Sequence, residues 1–127
     1  MQIDDRFVMR RVLTQEDFNR FARLSGDDNP IHVDPDFAAR TRFGKTVAHG
    51  MFLYSLLDAL LVRSLPGAVP ISQDLMFPTP SYVGEEITVT LRVSALDETE
   101  GIADLETTVT RPGGEAGCRG QARVRLP

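Results

Sequence analysis

Two histidines and a run of carboxylates crowd into one stretch of the chain, SGDDNPIHVDPDFAARTRFGKTVAHGM, from Ser25 to Met51. Asp27 and His32 lie five residues apart in its polar first part, with Asn29-Pro30 between them. Pro30 confines Asn29 to extended backbone, so the segment reads as a stiff loop. Such a loop can hold a carboxylate and an imidazole against one water, the pairing that general acid–base chemistry needs. On spacing alone a plainer reading stands beside this one, in which Asp27 caps the loop and His32 is an ordinary loop histidine. Asp28 reads as solvent-facing and Asp34 as a helix cap.

His49-Gly50 forms a second candidate, at the start of a long apolar run. The first turn of a helix has backbone N–H groups without partners and the positive end of the dipole. A glycine there lets a carbonyl oxygen approach closely, so the Gly50 N–H could polarise it. Equally, Gly50 could only relieve crowding where loop meets helix, and His49 could pack beside it. Asp58 stands among leucines in the same run, where a lone carboxylate is costly unless paired or protonated. Arg40, Arg42 and Lys45 cluster just before the run and would suit an anion, or be a solvated basic loop.

These residues need elements to hold them. Arg6 to Leu13 reads as a strand; Thr14, with Asp17 three residues on, reads as the capped start of a helix that Gly26 ends. Asp34-Pro35 opens a short helix through about Arg40. Val47 to about Ser64 is apolar on nearly every face, which predicts a helix enclosed by the rest of the domain. Val69 to Phe77 reads as a strand, and three more follow with period two: Ile87 to Val93, Ala103 to Val109, and Cys118 to Leu126. The outward face of the third of these four strands is acidic and that of the fourth basic, which predicts an antiparallel pair. Arg111 to Gly117 is their hairpin turn. The expected class is α+β, an antiparallel sheet wrapped around one buried helix.

The 127 residues are 42% hydrophobic and 25% charged, which suits one soluble domain of modest core, residues 1–127. A net charge of -4 leaves no basic excess for a nucleic-acid partner. One cysteine, Cys118, permits neither an internal disulfide nor a paired-cysteine zinc site, suits a reducing cytoplasm, and no metal is expected. The first residues do not read as a signal peptide, and the apolar run is too short and too polar to span a membrane.

The run D-x-N-P-x-H, here Asp27, Asn29, Pro30 and His32, resembles the motif of the MaoC-like and R-specific enoyl-CoA hydratases, the hydratase-2 family. His49-Gly50-Met51 is similar to the family's second landmark, and Leu75 to Val89 to its strand after the helix. The resemblance covers nearly the whole chain and favours the catalytic reading of Asp27 and His32. It implies a hot-dog fold, a long central helix wrapped by an antiparallel sheet, and a homodimer with sheets joined edge to edge.

It also implies the chemistry. Asp27 and His32 hold one water, which adds to an enoyl thioester to give an (R)-3-hydroxyacyl thioester, with Gly50 N–H on the enolate oxygen. Which of the two is the base stays open at this stage. Asn29 is expected to orient the loop or bind the thioester end. Asp58 would line the acyl pocket or meet a partner across a dimer, and Arg42 and Lys45 would meet coenzyme A phosphates. The substrate carrier is coenzyme A or an acyl carrier protein, with no further cofactor. The rival readings are the reverse dehydration, a hot-dog acyl thioesterase using a carboxylate on the helix, and a non-catalytic acyl-thioester-binding subunit.

Overall fold

The computed structural model describes every residue, Met1–Pro127. Strand β1 (Arg6–Val12) leads into helices α1 (Gln15–Ser25), α2 (Pro30–Val33), α3 (Pro35–Ala39) and α4 (Gly50–Ser64). Strands β2 (Val69–Gln73), β3 (Glu86–Asp97), β4 (Ile102–Thr110) and β5 (Ala116–Arg125) follow. All five strands form one antiparallel sheet in the order β1-β3-β4-β5-β2. Helix α4 packs on β1, β3, β4 and β5, giving the expected α+β hot-dog arrangement of a long helix against a sheet.

The alternation in the sequence builds this core. Ile87, Val89, Leu91 and Val93 on β3 and Ala103, Leu105, Thr107 and Val109 on β4 are buried, while the residues that alternate with them are not. The apolar ones meet Phe52, Leu53, Leu56, Leu57, Leu60 and Leu61 of α4 in one hydrophobic cluster. Each valine, leucine, isoleucine or phenylalanine side chain among them contributes roughly 1.5–3 kcal/mol on burial. On the opposite face of the sheet, Asp104 lies across from Arg123 and accepts two hydrogen bonds from it, at 2.8 and 3.2 Å. The predicted β4–β5 pairing is therefore present. Glu106, however, takes its arginine from β3, accepting bonds from Arg92 at 2.5 and 3.1 Å.

The start of α1 is locally encoded. Thr14 Oγ1 accepts the Asp17 N–H and Asp17 accepts the Thr14 N–H, both at 3.1 Å. Gly26 closes the helix at φ 81°, a left-handed conformation that glycine adopts without strain.

Four features differ from expectation. The polar segment after Gly26 is not loop throughout: Pro30–Val33 forms one helical turn, α2, that carries His32. Helix α4 begins at Gly50 rather than Val47, because Val47 pairs with Tyr82 and the Ala48 N–H donates to the Ser81 carbonyl at 2.9 Å. That helix is not enclosed all round: Met51, Ala59 and Val62 are exposed, since the sheet covers only one side. Strand β2 stops at Gln73 rather than Phe77. Its register with β5 slips between Pro70, which has no N–H to donate, and Ser72. Met76 then makes only an isolated bridge to Arg119. No helix is long and apolar enough to cross a membrane.

Candidate active site

A chain of capping bonds fixes the segment from α1 to α2. Ser25 Oγ accepts the Asp27 N–H at 3.2 Å, and Asp27 Oδ1 accepts the Asn29 N–H at 3.4 Å. Asn29 Oδ1 then accepts the Ile31 N–H at 3.1 Å, which makes Asn29 the N-cap of α2, with Pro30 in its first position. Long-range bonds hold this single turn against the body. Gln15 Nε2 donates to the His32 carbonyl at 2.9 Å, and the Val47 N–H donates to the Ile31 carbonyl at 3.1 Å. The hydroxyl of buried Thr46 donates to Gln15 Oε1 at 2.6 Å, which fixes the glutamine in turn.

The same strand-like segment sets the state of the His32 ring. His32 Nδ1 lies 2.8 Å from the Val47 carbonyl oxygen. A carbonyl only accepts, so Nδ1 carries the hydrogen, and in the neutral ring Nε2 keeps its lone pair. Nε2 faces Asp27 Oδ2 at 3.8 Å, too far for a direct hydrogen bond and close enough for both to hold one water. The Asp27 carboxylate is about half exposed and the His32 ring mostly buried.

His49 supports both residues from beneath. Its ring stacks on His32 with centroids 3.8 Å apart and planes 22° from parallel, and Phe21 packs on it at 4.8 Å. Its Nε2–H donates to the Asp27 carbonyl at 2.9 Å. His49 is only 3% exposed, and this burial pushes its imidazole below the ordinary range, so it stands neutral under its neighbour.

The His49 carbonyl accepts the Phe52 and Leu53 amides, whereas the N–H groups of Gly50 and Met51 donate to no group of the protein. Asp27, His32, His49, Gly50 and Met51 all line one cavity of about 580 Å³, walled on its other sides by Phe21, Leu53, Phe77 and Ser81 among others. A Cβ on Gly50 would come within 2.9 Å of the Phe77 ring, so the glycine lets that ring close down on the helix start.

The remaining residues singled out in the sequence lie outside this lining. The Asn29 side chain spends its oxygen on the α2 cap. Arg42 is exposed and stacks over Phe43 at 4.7 Å, and Lys45 is exposed. Asp58 lines a second, smaller cavity between α4 and the sheet, with Tyr54, Leu61, Leu105 and Thr107. The Cys118 thiol is buried and pushed up to about 11, which leaves no thiolate for nucleophilic chemistry. Asp27, His32 and His49 each bring a ligand-capable atom within 4.8 Å of the others. Sequence reasoning missed the place of Ser81 in this wall and the stacking of His49. The one hint was Gly117, a glycine inside a strand, which marks a close approach.

The model of the MaoC-like domain family matches residues 3–112. The (R)-specific enoyl-CoA hydratase of Aeromonas caviae is 45% identical over 109 residues, covering 84% of this chain and 81% of that protein. A 3-hydroxybutyryl-CoA dehydratase of Methylorubrum extorquens is 38% identical over 122 residues, covering 94% and 77%. The solved structure of an (R)-hydratase from A. caviae involved in PHA biosynthesis superposes with a TM-score of 0.96 at 38% identity, covering 100% of this chain and 98% of that one.

The buried neutral imidazole has a consequence for stability. The folded-state pKa of His49 lies below the ordinary value of 6.5, so the unfolded chain takes up the proton first. Stability is full above about 6.5 and falls as pH drops through that value. Urea denaturation at about pH 7.5 and about pH 5.5 reads this. The drop in midpoint should be smaller in His49→Gln than in the wild type; an equal drop would contradict it.

Proposed function

The chain belongs to the MaoC-like domain family, and on that premise we propose that residues 1–127 act as one hydro-lyase domain adding water across enoyl thioesters. It converts trans-2-enoyl thioesters to (R)-3-hydroxyacyl thioesters, and runs the reverse dehydration. The observation that carries the mechanism is the His32 Nε2 lone pair facing the Asp27 carboxylate at 3.8 Å, beside the unpaired Gly50 amide.

One water bridges Asp27 Oδ2 and His32 Nε2. The Val47 carbonyl holds the hydrogen on Nδ1, so Nε2 is free to take a proton and His32 is the base. Asp27 accepts the second hydrogen of the water, aims its oxygen, and stabilises the imidazolium that forms. The oxygen attacks the β-carbon, and the electrons of the double bond move to the thioester oxygen as an enolate. Gly50 N–H, at the positive end of α4, donates to that oxygen. His32 Nε2–H then returns the proton to the α-carbon. Water and proton come from one dyad, so both add to the same face.

The substrate is an acyl-CoA or acyl-carrier-protein thioester. Arg42 and Lys45, exposed on the loop before α4, supply positive charge for its phosphates. The second cavity, beside Asp58, holds only about 20 Å³ and shares no lining residue with the first, so an acyl tail reaches Asp58 only where α4 and the sheet part to extend the pocket, and a carboxylate there disfavours long plain alkyl chains. The protein acts as a homodimer. Strand β2 ends the sheet with an unpaired edge, and Val69 and Ile71 on it are exposed, as are Met51 and Val62 of α4.

Asp27→Asn and His32→Gln should each lower kcat roughly 10²–10⁴-fold, read as loss of enoyl-thioester absorbance, with the denaturation midpoint nearly unchanged. Near-wild-type rates in both would refute the dyad. Across a series of enoyl-CoA chain lengths, Asp58→Ala should shift preference toward longer chains, and added salt should raise KM. An unchanged profile removes Asp58 from the pocket, and a salt-independent KM removes Arg42 and Lys45 from phosphate binding. Light scattering should give twice the chain mass of 14.1 kDa; a monomer would refute the pairing.

A further inference from the structure

The protein leaves two buried side-chain polar atoms without a hydrogen-bond partner, His49 Nδ1 and Ser81 Oγ, and both residues line the catalytic cavity. A buried hydroxyl nearly always finds a partner, and an unmet one costs stability. The neighbouring Thr79 follows the rule, its hydroxyl donating to the Ala116 carbonyl at 2.7 Å. Ser81 does not, although it is only 2% exposed.

Its position follows from backbone pairing. Val47 pairs antiparallel with Tyr82, and the Ala48 N–H donates to the Ser81 carbonyl, so Ser81 lies opposite Ala48. Opposed residues of an antiparallel pair carry their side chains on the same side, and Ala48 and Ser81 both line the cavity. The chain runs on from Ala48 into His49 and then Gly50 and Met51, whose amides are unpaired. Ser81 is thus on the wall that carries the helix start, with its Oγ turned toward Gly117 in the free protein. Room has been left for it: a Cβ at Gly117 of β5 would overlap Ser81 Oγ.

We propose that the Ser81 hydroxyl is a second hydrogen-bond donor to the thioester carbonyl oxygen, acting with the Gly50 N–H. This rests on the hydratase reading of the same cavity. The hydroxyl is unpaired in the free protein because its acceptor arrives with the substrate, and rotation about the Cα–Cβ bond aims it. Charge on that oxygen grows as the enolate forms, so the bond strengthens toward the transition state and acts on kcat more than on KM.

Steady-state hydration of 2-butenoyl-CoA by wild type, Ser81→Ala and Ser81→Cys, with thermal midpoints, tests this. For Ser81→Ala, kcat should fall on the order of 10²-fold with KM little changed. Its thermal midpoint should hold or rise, because an unmet polar group has gone. Ser81→Cys keeps the packing and weakens the donor, so it should lose kcat too and stands in if the alanine variant does not fold. A packing role would move the midpoint and leave kcat in place. Folded variants with kcat within about threefold of an active wild type overturn the role of Ser81 alone. A wild type that leaves enoyl thioesters untouched overturns the hydratase reading and this one with it.

Discussion

The hydrogen bond from His32 Nδ1 to the Val47 carbonyl is the contact on which the site depends. It decides which imidazole nitrogen keeps a lone pair, and so which faces Asp27. Everything around it holds its two ends in place. Asn29 and Pro30 start the turn that carries His32, Gln15 and Ile31 tie that turn to the body, and the Val47–Tyr82 bridge fixes the carbonyl. Two residues beyond Val47, the chain turns at His49 into α4. The segment that orients the His32 ring thus also delivers the unpaired Gly50 amide. The proposed base and the proposed oxyanion donor are positioned by one short stretch of backbone.

That arrangement is made at some cost to stability. A small domain gains its folding energy from the cluster between α4 and the sheet, and would gain more by pairing every buried polar atom. Instead it buries a neutral histidine, leaves its Nδ1 and the Ser81 hydroxyl unmet, and leaves two amides free at the helix start. All of these fall in one cavity. Elsewhere buried polar side chains are paired, as with Thr46 on Gln15 and Thr107 accepting from Gln73. Unmet polar capacity confined to one pocket is what a site prepared for a polar ligand requires.

Much of this was legible in the sequence because it rests on local rules. The Thr14–Asp17 capping box, Gly26 at the helix end and the alternation of β3 and β4 depend on neighbours in the chain, and the structure carries each. Asp27 and His32 were legible as a pair only when the stiff Asn29-Pro30 link was read together with Gly50 at a helix start and the family motif, since spacing alone left the plainer reading open. What escaped depends on partners distant in sequence. A single helical turn such as α2 has no periodicity, and its support comes from Gln15 and Val47. The exposed side of α4 looked enclosed because apolar content does not say which face the sheet covers. The place of Ser81 follows only from its pairing opposite Ala48, and the His49 stack only from the turn of chain that brings His32 above it.

The central claim is that one water, held between Asp27 and His32, supplies both the hydroxyl and the proton to a single face of the double bond. Hydration of a trans-2-enoyl-CoA in deuterium oxide, with stereochemical analysis at both carbons, tests it directly. The product should carry hydroxyl and deuterium on the same face, with the (R) configuration at C-3. Addition to opposite faces, or a mixture of configurations at C-2, would contradict a shared dyad and require a second proton donor across the cavity.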